Sequence, residues 1–282
     1  MGAHIGPAGA KSRSMEKLPL PEYDEVPLDQ IAPGLTGLRI LFVNVFAVIA
    51  PAGGWVLVDA GLPFSAGRIR RWAEKQFGDA ARPRSIVLTH GHFDHVGAVK
   101  DLADEWDVPV YAHPDEAPYL IGQREYPPPD PSVGGGVMAL MSPLYPRGPI
   151  NVSHRLQLLD RDGILPDLPD WRWLHTPGHT VGHISLFRDE DRVLLPGDAF
   201  CTTDQRSFMA IAAQRPELHG PPEYYTPDWD QAKLSVQKLA ALRPSLLAPG
   251  HGLPMSGVDA EKALQLLARD FDRIARPHTE VA

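Results

Sequence analysis

The chain has 282 residues, of which 43% are hydrophobic, so it is long enough to bury one large core or two modest ones. Its formal net charge of −8 at pH 7 provides no basic surface of the kind that binds nucleic acid or an anionic membrane. A single cysteine, Cys201, excludes an internal disulfide, which fits a reducing compartment.

The N-terminus carries no basic region followed by an apolar core, so no secretory signal is predicted. The longest apolar run, residues 45–51, is too short to span a bilayer. We therefore expect a cytoplasmic protein without a membrane partner. Residues 1–16 are rich in Gly, Ala, Ser and Lys and are predicted to form a flexible tail, followed by a single domain over residues 17–282.

The first predicted element is a β-hairpin. Two β-rich runs, residues 38–48 and 55–58, flank a Gly-Gly turn. The second run ends at Asp59, where an aspartate either stabilises its own turn or serves a site at the strand end. A helix is predicted next, over residues 65–77.

The segment 89–97 holds the densest group of potential metal ligands. It follows an apolar run at residues 86–88 that predicts a short buried strand, and helical spacing resumes at Val96. Asp94 therefore lies near the start of a helix. Four ligand-type side chains fall within six positions: His90, His92, Asp94 and His95. A polar surface turn does not need this density, whereas zinc, iron or manganese would use it.

Residues 114–150 form an irregular insert. It contains a Pro-rich stretch at 126–131, three glycines at 134–136 and an apolar run at 137–144. Such an insert with a short apolar helix suits an element near the active site that covers substrate, but its Met and Leu residues would equally suit a core. Both interpretations stay open.

Three later strand ends also carry a ligand-type residue. Strands are predicted at 108–112, 156–159, 171–174, 184–187, 193–195 and 245–248, and helices at 228–242 and 259–275. His179 lies in Thr-Pro-Gly-His-Thr, Asp198 in Pro-Gly-Asp and His251 in Pro-Gly-His. Because loops at one edge of a sheet can meet, these residues can converge with those of segment 89–97.

The His-x-His-x-Asp-His segment and the three later motifs together resemble the metallo-β-lactamase superfamily, from about residue 38 to residue 254. The resemblance implies an α/β (α+β) fold: an αββα sandwich of two mixed β-sheets flanked by helices. It also implies two divalent metal ions, with zinc as the first expectation and iron or manganese as alternatives. Asp59 would support the metal-binding loop.

The resemblance assigns each ligand by position. His90, His92 and His179 match the ligands of one metal; Asp94, His95 and His251 match those of the second, and Asp198 would bridge the two. A binuclear, metal-dependent hydrolase is then expected, in which a metal-bound hydroxide attacks the carbonyl of a small ester, lactone or amide. Asp94 would carry a proton to the leaving group.

The substrate residues are less defined. Lactonases of the superfamily usually place a tyrosine shortly after the bridging aspartate, but this chain has Cys201 there, and Tyr224 and Tyr225 are the alternative phenols. A mononuclear iron persulfide dioxygenase, with ligands like His90, His179 and Asp198, and a phosphodiesterase are competing functions. A non-catalytic binding domain is a third. The expected partner is a small-molecule substrate, and the sequence leaves a homodimer open.

Overall fold

The computed structural model describes residues 25–133, 136–148, 150–204 and 217–277. In these ranges, thirteen strands form two sheets. The first sheet has the order β1 to β7: β1 (Glu25–Ala32), β2 (Leu35–Ile40), β3 (Val43–Ile49), β4 (Trp55–Val58), β5 (Ile86–Val87), β6 (Val110–Ala112) and β7 (Leu156–Leu158). In the second sheet the strands lie in the order β13, β12, β11, β10, β9, β8. Their ranges are β8 (Ile164–Leu165), β9 (Leu168–His175), β10 (Ile184–Arg188), β11 (Val193–Leu195), β12 (Leu246–Leu247) and β13 (Met255–Ser256).

Both sheets are mixed. Strands β1 to β4 pair antiparallel and β4 to β7 parallel, whereas in the second sheet the β11–β12 pair is parallel and the other pairs are antiparallel. The described helices are α1 (Ala66–Phe77), α2 (Phe93–Val96), α3 (Val99–Trp106), α4 (Ala117–Leu120), α5 (Gly136–Met141), α6 (Trp229–Ala241), α7 (Gly257–Arg269) and α8 (Phe271–Ile274).

The sequence of β4 shows how the layers form. All four of its side chains are buried, with Trp55 and Leu57 in the cluster that packs against α1 and α3. Val56 and Val58 point the other way, into the cluster between the two sheets. Because successive strand residues face opposite sides, a strand covered on both faces requires an unbroken apolar run.

Helices cover the outer faces of both sheets. Ile69 of α1 and Leu102 of α3 pack on the first sheet, and Val236 of α6 and Leu264 of α7 pack on the second. The order of layers is therefore helix, sheet, sheet, helix, which confirms the predicted αββα sandwich. No helix in the described ranges has both the length and the apolar content needed to cross a membrane.

The predicted elements differ from the structure in three respects. The run 38–48 contains two strands with a tight turn at Leu41, whose φ is 59°. The predicted final helix is two helices that meet at Asp270. Strands β1, β8 and β13 were not predicted; β8 and β13 have two residues each, too few for a periodic pattern. The predicted flexible tail, residues 1–16, lies outside the described residues.

Candidate metal centre

Four strand ends meet at one edge of the sandwich. β5 leads into residues 90–95, β9 into His179, β11 into Asp198 and β12 into His251. His92 precedes the first turn of α2 and Asp94 lies within that turn, so the short helix fixes the spacing of this segment. All seven predicted ligands are buried: His90, His92, Asp94, His95, His179, Asp198 and His251.

The seven side chains form overlapping groups that could hold metal ions. Within each group the ligand-type atoms lie within 4.8 Å of one another. The groups are His90, His92 and His179; Asp94, His95 and His251; and His90, His95 and Asp198. The structure thus brings together the residues that the sequence motifs select.

Asp198 lies between the first two groups. Its Oδ2 is 3.0 Å from Nε2 of His251 and 3.5 Å from Nε2 of His179. Its Oδ1 is 3.4 Å from Nε2 of His95. One carboxylate therefore faces ligand-type nitrogens of both groups, as a bridging position requires.

Several buried atoms at this point have no hydrogen-bond partner. They are Nε2 of His90, Nε2 of His95 and Oδ1 of Asp198, of which the last two only face each other at a long 3.4 Å. Buried polar atoms are seldom left unpaired, because their desolvation is costly. Imidazole nitrogens and carboxylate oxygens are the donor set of zinc and of related divalent cations, so these residues fit such an ion.

The ionisation of the site also fits a cation. Burial, together with neighbouring histidines, holds the pKa of His90 and of His179 well below its usual range, so both rings are neutral, as ligands must be. Burial opposes protonation of His95 and His251, but Asp198 and nearby carboxylates raise the pKa of both rings above the ordinary value. A divalent cation would displace those protons.

Side chains and carbonyls behind the site orient its rings. Asp59 accepts hydrogen bonds from the backbone N–H and the hydroxyl of Thr89, both at 2.8 Å. Its Oδ2 also lies 2.8 Å from Nδ1 of His95. Nδ1 of His251 donates to the carbonyl of Phe42 at 2.8 Å. In both rings Nε2 is consequently directed into the site.

His183 holds the backbone of Asp198. Its Nε2 accepts a hydrogen bond from the Asp198 N–H at 2.9 Å, and its Nδ1 donates to the carbonyl of Thr176 at 3.1 Å. A Cβ at Gly197 would lie 2.6 Å from that Nε2, so only glycine allows this approach. His183 therefore supports the site without entering the groups that could hold a metal.

A cavity of about 380 Å³ adjoins the metal groups at His92 and His179. The Tyr225 ring lies 4.6 Å from the His92 ring, and its hydroxyl is buried without a hydrogen-bond partner. Tyr224 is buried and also lines the cavity. Tyr126 of the predicted insert forms another part of the wall, so the insert contributes to this cavity.

Cys201 is fully buried and forms no disulfide. Burial raises the pKa of its thiol well above the usual range. It belongs to none of the groups of described residues that could hold a metal. A position close to the site but outside the ligand set remains our prediction for this residue.

One further group of ligand-type residues consists of His113, Asp115 and His175. The two imidazole rings are stacked, with centroids 4.2 Å apart and planes 10° from parallel. The lone pairs of imidazole nitrogens lie in the ring plane, so two stacked rings do not direct them to one point. This partly exposed group is a poor metal site.

The sequence did not single out Glu116 or Tyr126. Glu116 is buried beside the metal loops, where it accepts hydrogen bonds from residues far away in the chain. His113 and Asp115 lie just before Glu116, so this carboxylate does not stand out in the sequence, and sequence alone supplies no partner for it.

Comparison with known proteins agrees with this site. The family model for the metallo-beta-lactamase superfamily matches residues 38–251. The probable metallo-hydrolase YflN of Bacillus subtilis (strain 168) is 46% identical over 247 residues, which cover 87% of this chain and 94% of the relative. The uncharacterized protein Rv2581c of Mycobacterium tuberculosis (strain ATCC 25618 / H37Rv) is 31% identical over 205 residues, 72% of this chain and 82% of the relative.

Solved structures share the fold. TTHA1623, crystallised in a di-iron-bound form, superimposes with a TM-score of 0.55 at 26% identity, covering 83% of this chain and 96% of that one. The BLEG-1 B3 metallo-β-lactamase gives a TM-score of 0.55 at 24% identity, covering 83% and 93%. The chain therefore belongs to the metallo-β-lactamase superfamily and is a metallo-hydrolase of that superfamily.

Proposed function

We propose that the protein is a binuclear metal-dependent hydrolase that cleaves a small, uncharged ester, lactone or amide. The observation that carries the proposal is the convergence of buried, unpartnered ligand atoms of His90, His95 and Asp198 beside an aromatic-lined cavity. A carbonyl substrate held in that cavity would lie next to the ligands His92 and His179.

The ligand set supports two divalent cations. His90, His92 and His179 would hold one; Asp94, His95 and His251 would hold the second, with Asp198 facing both. When bound, the cations supply an activated water and a Lewis acid for the attacked carbonyl. Zinc suits these ligands, and the di-iron-bound form of TTHA1623 supports iron as the alternative.

In this proposal Asp94 moves a proton to the leaving group. Its Oδ2 lies 3.4 Å from Nε2 of His251, at the inner edge of the site. Burial raises the pKa of Asp94 above its usual value. A carboxyl whose pKa is shifted toward neutrality takes up and releases a proton more readily at working pH, which suits transfer to a leaving group.

The cavity favours an uncharged substrate. Its described lining includes Asp130 and Glu223 but no lysine or arginine. Phosphate groups and other anions are usually held by basic side chains, so this lining argues against a phosphodiesterase. Tyr225 presents a buried, unpartnered hydroxyl that could donate to the carbonyl oxygen.

The competing oxidoreductase needs one iron and three ligands. The buried second group of Asp94, His95 and His251 has no use in such an enzyme, which favours the binuclear hydrolase. A non-catalytic binding domain would likewise have no need of a complete ligand set.

The test combines metal analysis with a hydrolysis screen. Freshly purified protein, chelator-treated protein and protein reloaded with Zn²⁺, Mn²⁺ or Fe²⁺ are assayed against lactone, ester, amide, thioester, β-lactam and phosphodiester panels. We expect two metals per chain and metal-dependent cleavage of lactones or esters, abolished in Asp198→Ala. Phosphodiester cleavage or persulfide oxidation without carbonyl hydrolysis would overturn the proposal.

A further inference from the structure

Glu116 is a fully buried carboxylate that the chemistry above does not use. It ends the short 3-10 helix Pro114–Glu116 that follows β6. Its Oε1 accepts hydrogen bonds from the Thr180 hydroxyl at 2.7 Å and from the Gly182 N–H at 2.8 Å. Its Oε2 accepts from the Gly91 N–H at 3.0 Å and from the Tyr126 hydroxyl.

Three of these four donors, those of Gly91, Thr180 and Gly182, belong to the two loops that carry the first group of metal ligands. Gly91 lies between His90 and His92, and Thr180 directly follows His179. The Glu116 carboxylate therefore connects both loops: Oε1 binds the loop after His179, and Oε2 binds the loop of His90 and His92.

The packing around this carboxylate leaves no spare room. A Cβ at Gly182 would lie 2.9 Å from Oε1 of Glu116, and a Cβ at Gly91 would lie 2.4 Å from the Tyr126 hydroxyl oxygen. Both distances are shorter than real Cβ contacts, so a side chain at either glycine would displace Glu116 or Tyr126.

An ionised carboxylate satisfies all four of these hydrogen bonds. Its two oxygens offer about four acceptor positions, and four donors fill them. Burial raises the pKa of Glu116, and the hydrogen bonds oppose that rise. A glutamine of the same shape would direct its NH₂ group at the N–H of Gly91 or of Gly182, so one backbone donor would lose its acceptor.

Tyr126 extends this connection to the cavity. Its hydroxyl donates to Glu116, and its ring lies 4.6 Å from the His92 ring in an edge-on arrangement. Its other face stacks on Tyr119 at 4.0 Å, and both rings line the cavity. The wall of the cavity and the first metal group thus share one anchor.

We propose that Glu116 is a positioning residue that sets the geometry of the His92 and His179 ligands and fixes the Tyr126 wall of the substrate cavity. This inference rests on the proposed metal centre. It requires that loss of the carboxylate weakens metal binding at the first group and leaves the second group intact. Outer partners of metal ligands typically contribute roughly 10- to 100-fold to metal affinity, which sets the expected size of the effect.

The experiment compares Glu116→Gln with the unchanged chain and with Ser142→Ala. Ser142 is a matched control because it is a buried residue of the same insert whose hydroxyl donates only to the Ala139 carbonyl, at 2.7 Å. Cobalt titration with chelator competition measures metal affinity, and the cobalt absorption spectrum reports ligand geometry independently of activity. Repeating the titration in a His251→Ala background isolates the first group.

Glu116→Gln should lower the cobalt affinity of the first group by roughly 10- to 100-fold and change its spectrum. Ser142→Ala should alter thermal stability only. If Glu116→Gln does not fold, Thr180→Val decides the question, because it removes one donor and should weaken the same group several-fold. Tyr126→Phe should keep cobalt affinity and raise KM for an ester substrate.

The two proposals fail in different ways. An unchanged chain that binds no metal would overturn the proposed function. If the unchanged chain binds two metals and Glu116→Gln or Thr180→Val binds them with the same affinity and spectrum, the positioning role is refuted. A Glu116→Gln effect confined to stability, like that of Ser142→Ala, would also refute it.

Discussion

Asp59 and His95 are in contact inside the sandwich, with Oδ2 of the aspartate 2.8 Å from Nδ1 of the imidazole. The other nitrogen of the same ring lies 3.4 Å from Asp198. The ring is therefore aligned by a carboxylate from behind while its Nε2 faces the site. Asp59 is held in turn by both donors of Thr89, so the end of β4 fixes the segment that follows β5.

Asp59→Asn should weaken metal binding by roughly 10- to 100-fold, because the single amide oxygen cannot accept all three hydrogen bonds from Thr89 and His95. Asparagine is the informative replacement: Asp59 has a φ of 62°, a left-handed conformation that asparagine tolerates well. The affected group should be Asp94, His95 and His251, measured by chelator competition. An unchanged affinity with lowered thermal stability would reduce Asp59 to a turn-stabilising residue.

His251→Ala should empty the second metal position and leave most of the first. Nε2 of His251 contacts Asp94 at 3.4 Å and Asp198 at 3.0 Å, but the ring is not part of the group formed by His90, His92 and His179. Elemental analysis should find two metals per chain before the substitution and about one after it. A single tightly held iron in the freshly purified, unchanged chain would contradict the binuclear site.

The sequence predicted those parts of the site that depend on short spacing. The four ligand-type residues of segment 90–95 are local, and each later ligand follows a strand after a Pro-Gly turn. Where a contact depends on distant segments, sequence gave no signal. Glu116 meets Gly91 across 25 positions and Gly182 across 66.

The turn at Leu41 was missed for a similar reason. It contains neither glycine nor proline, so the run 38–48 resembled one strand. The Phe42 carbonyl in that turn accepts a hydrogen bond from His251, 209 positions away. A long-range contact at the site accompanies a local conformation that intrinsic turn preference does not predict.

Zinc as the metal, the cytoplasmic location and the assembly state stay predictions.

Metal-free protein should lose stability as pH falls from about 6.5 to about 4, partly because of His183. Burial lowers the pKa of His183 to about 4, below its ordinary value of 6.5. Above pH 6.5 the ring is neutral in both the folded and the unfolded chain and contributes no pH dependence. Between the two values only the unfolded chain binds the proton, which favours unfolding. Each unit of separation corresponds to about 1.4 kcal/mol, so the full loss is on the order of 3 kcal/mol.

Urea unfolding of chelator-treated protein at pH 7, 5.5 and 4.5 measures this dependence. Other buried histidines with a lowered pKa, such as His90 and His179, act in the same direction. His183→Gln should therefore show a shallower fall in the free energy of unfolding, from a lower starting value. If both proteins lose equal stability over this range, His183 does not titrate as the structure implies.

Tyr225→Phe should reduce kcat for lactone or ester hydrolysis more than Tyr224→Phe does. The Tyr225 hydroxyl has no hydrogen-bond partner, and its partly exposed ring lies against His92 at the cavity wall, whereas the whole Tyr224 side chain is almost entirely buried. Loss of one donor to a developing oxyanion typically costs about 10²- to 10³-fold in kcat, and loss of a packing hydroxyl costs far less. Both substitutions keep the ring, so metal content should not change. Equal effects of the two variants on kcat would contradict a specific role for the Tyr225 hydroxyl. An effect of Tyr225→Phe on KM alone would show that this phenol binds substrate without stabilising the transition state.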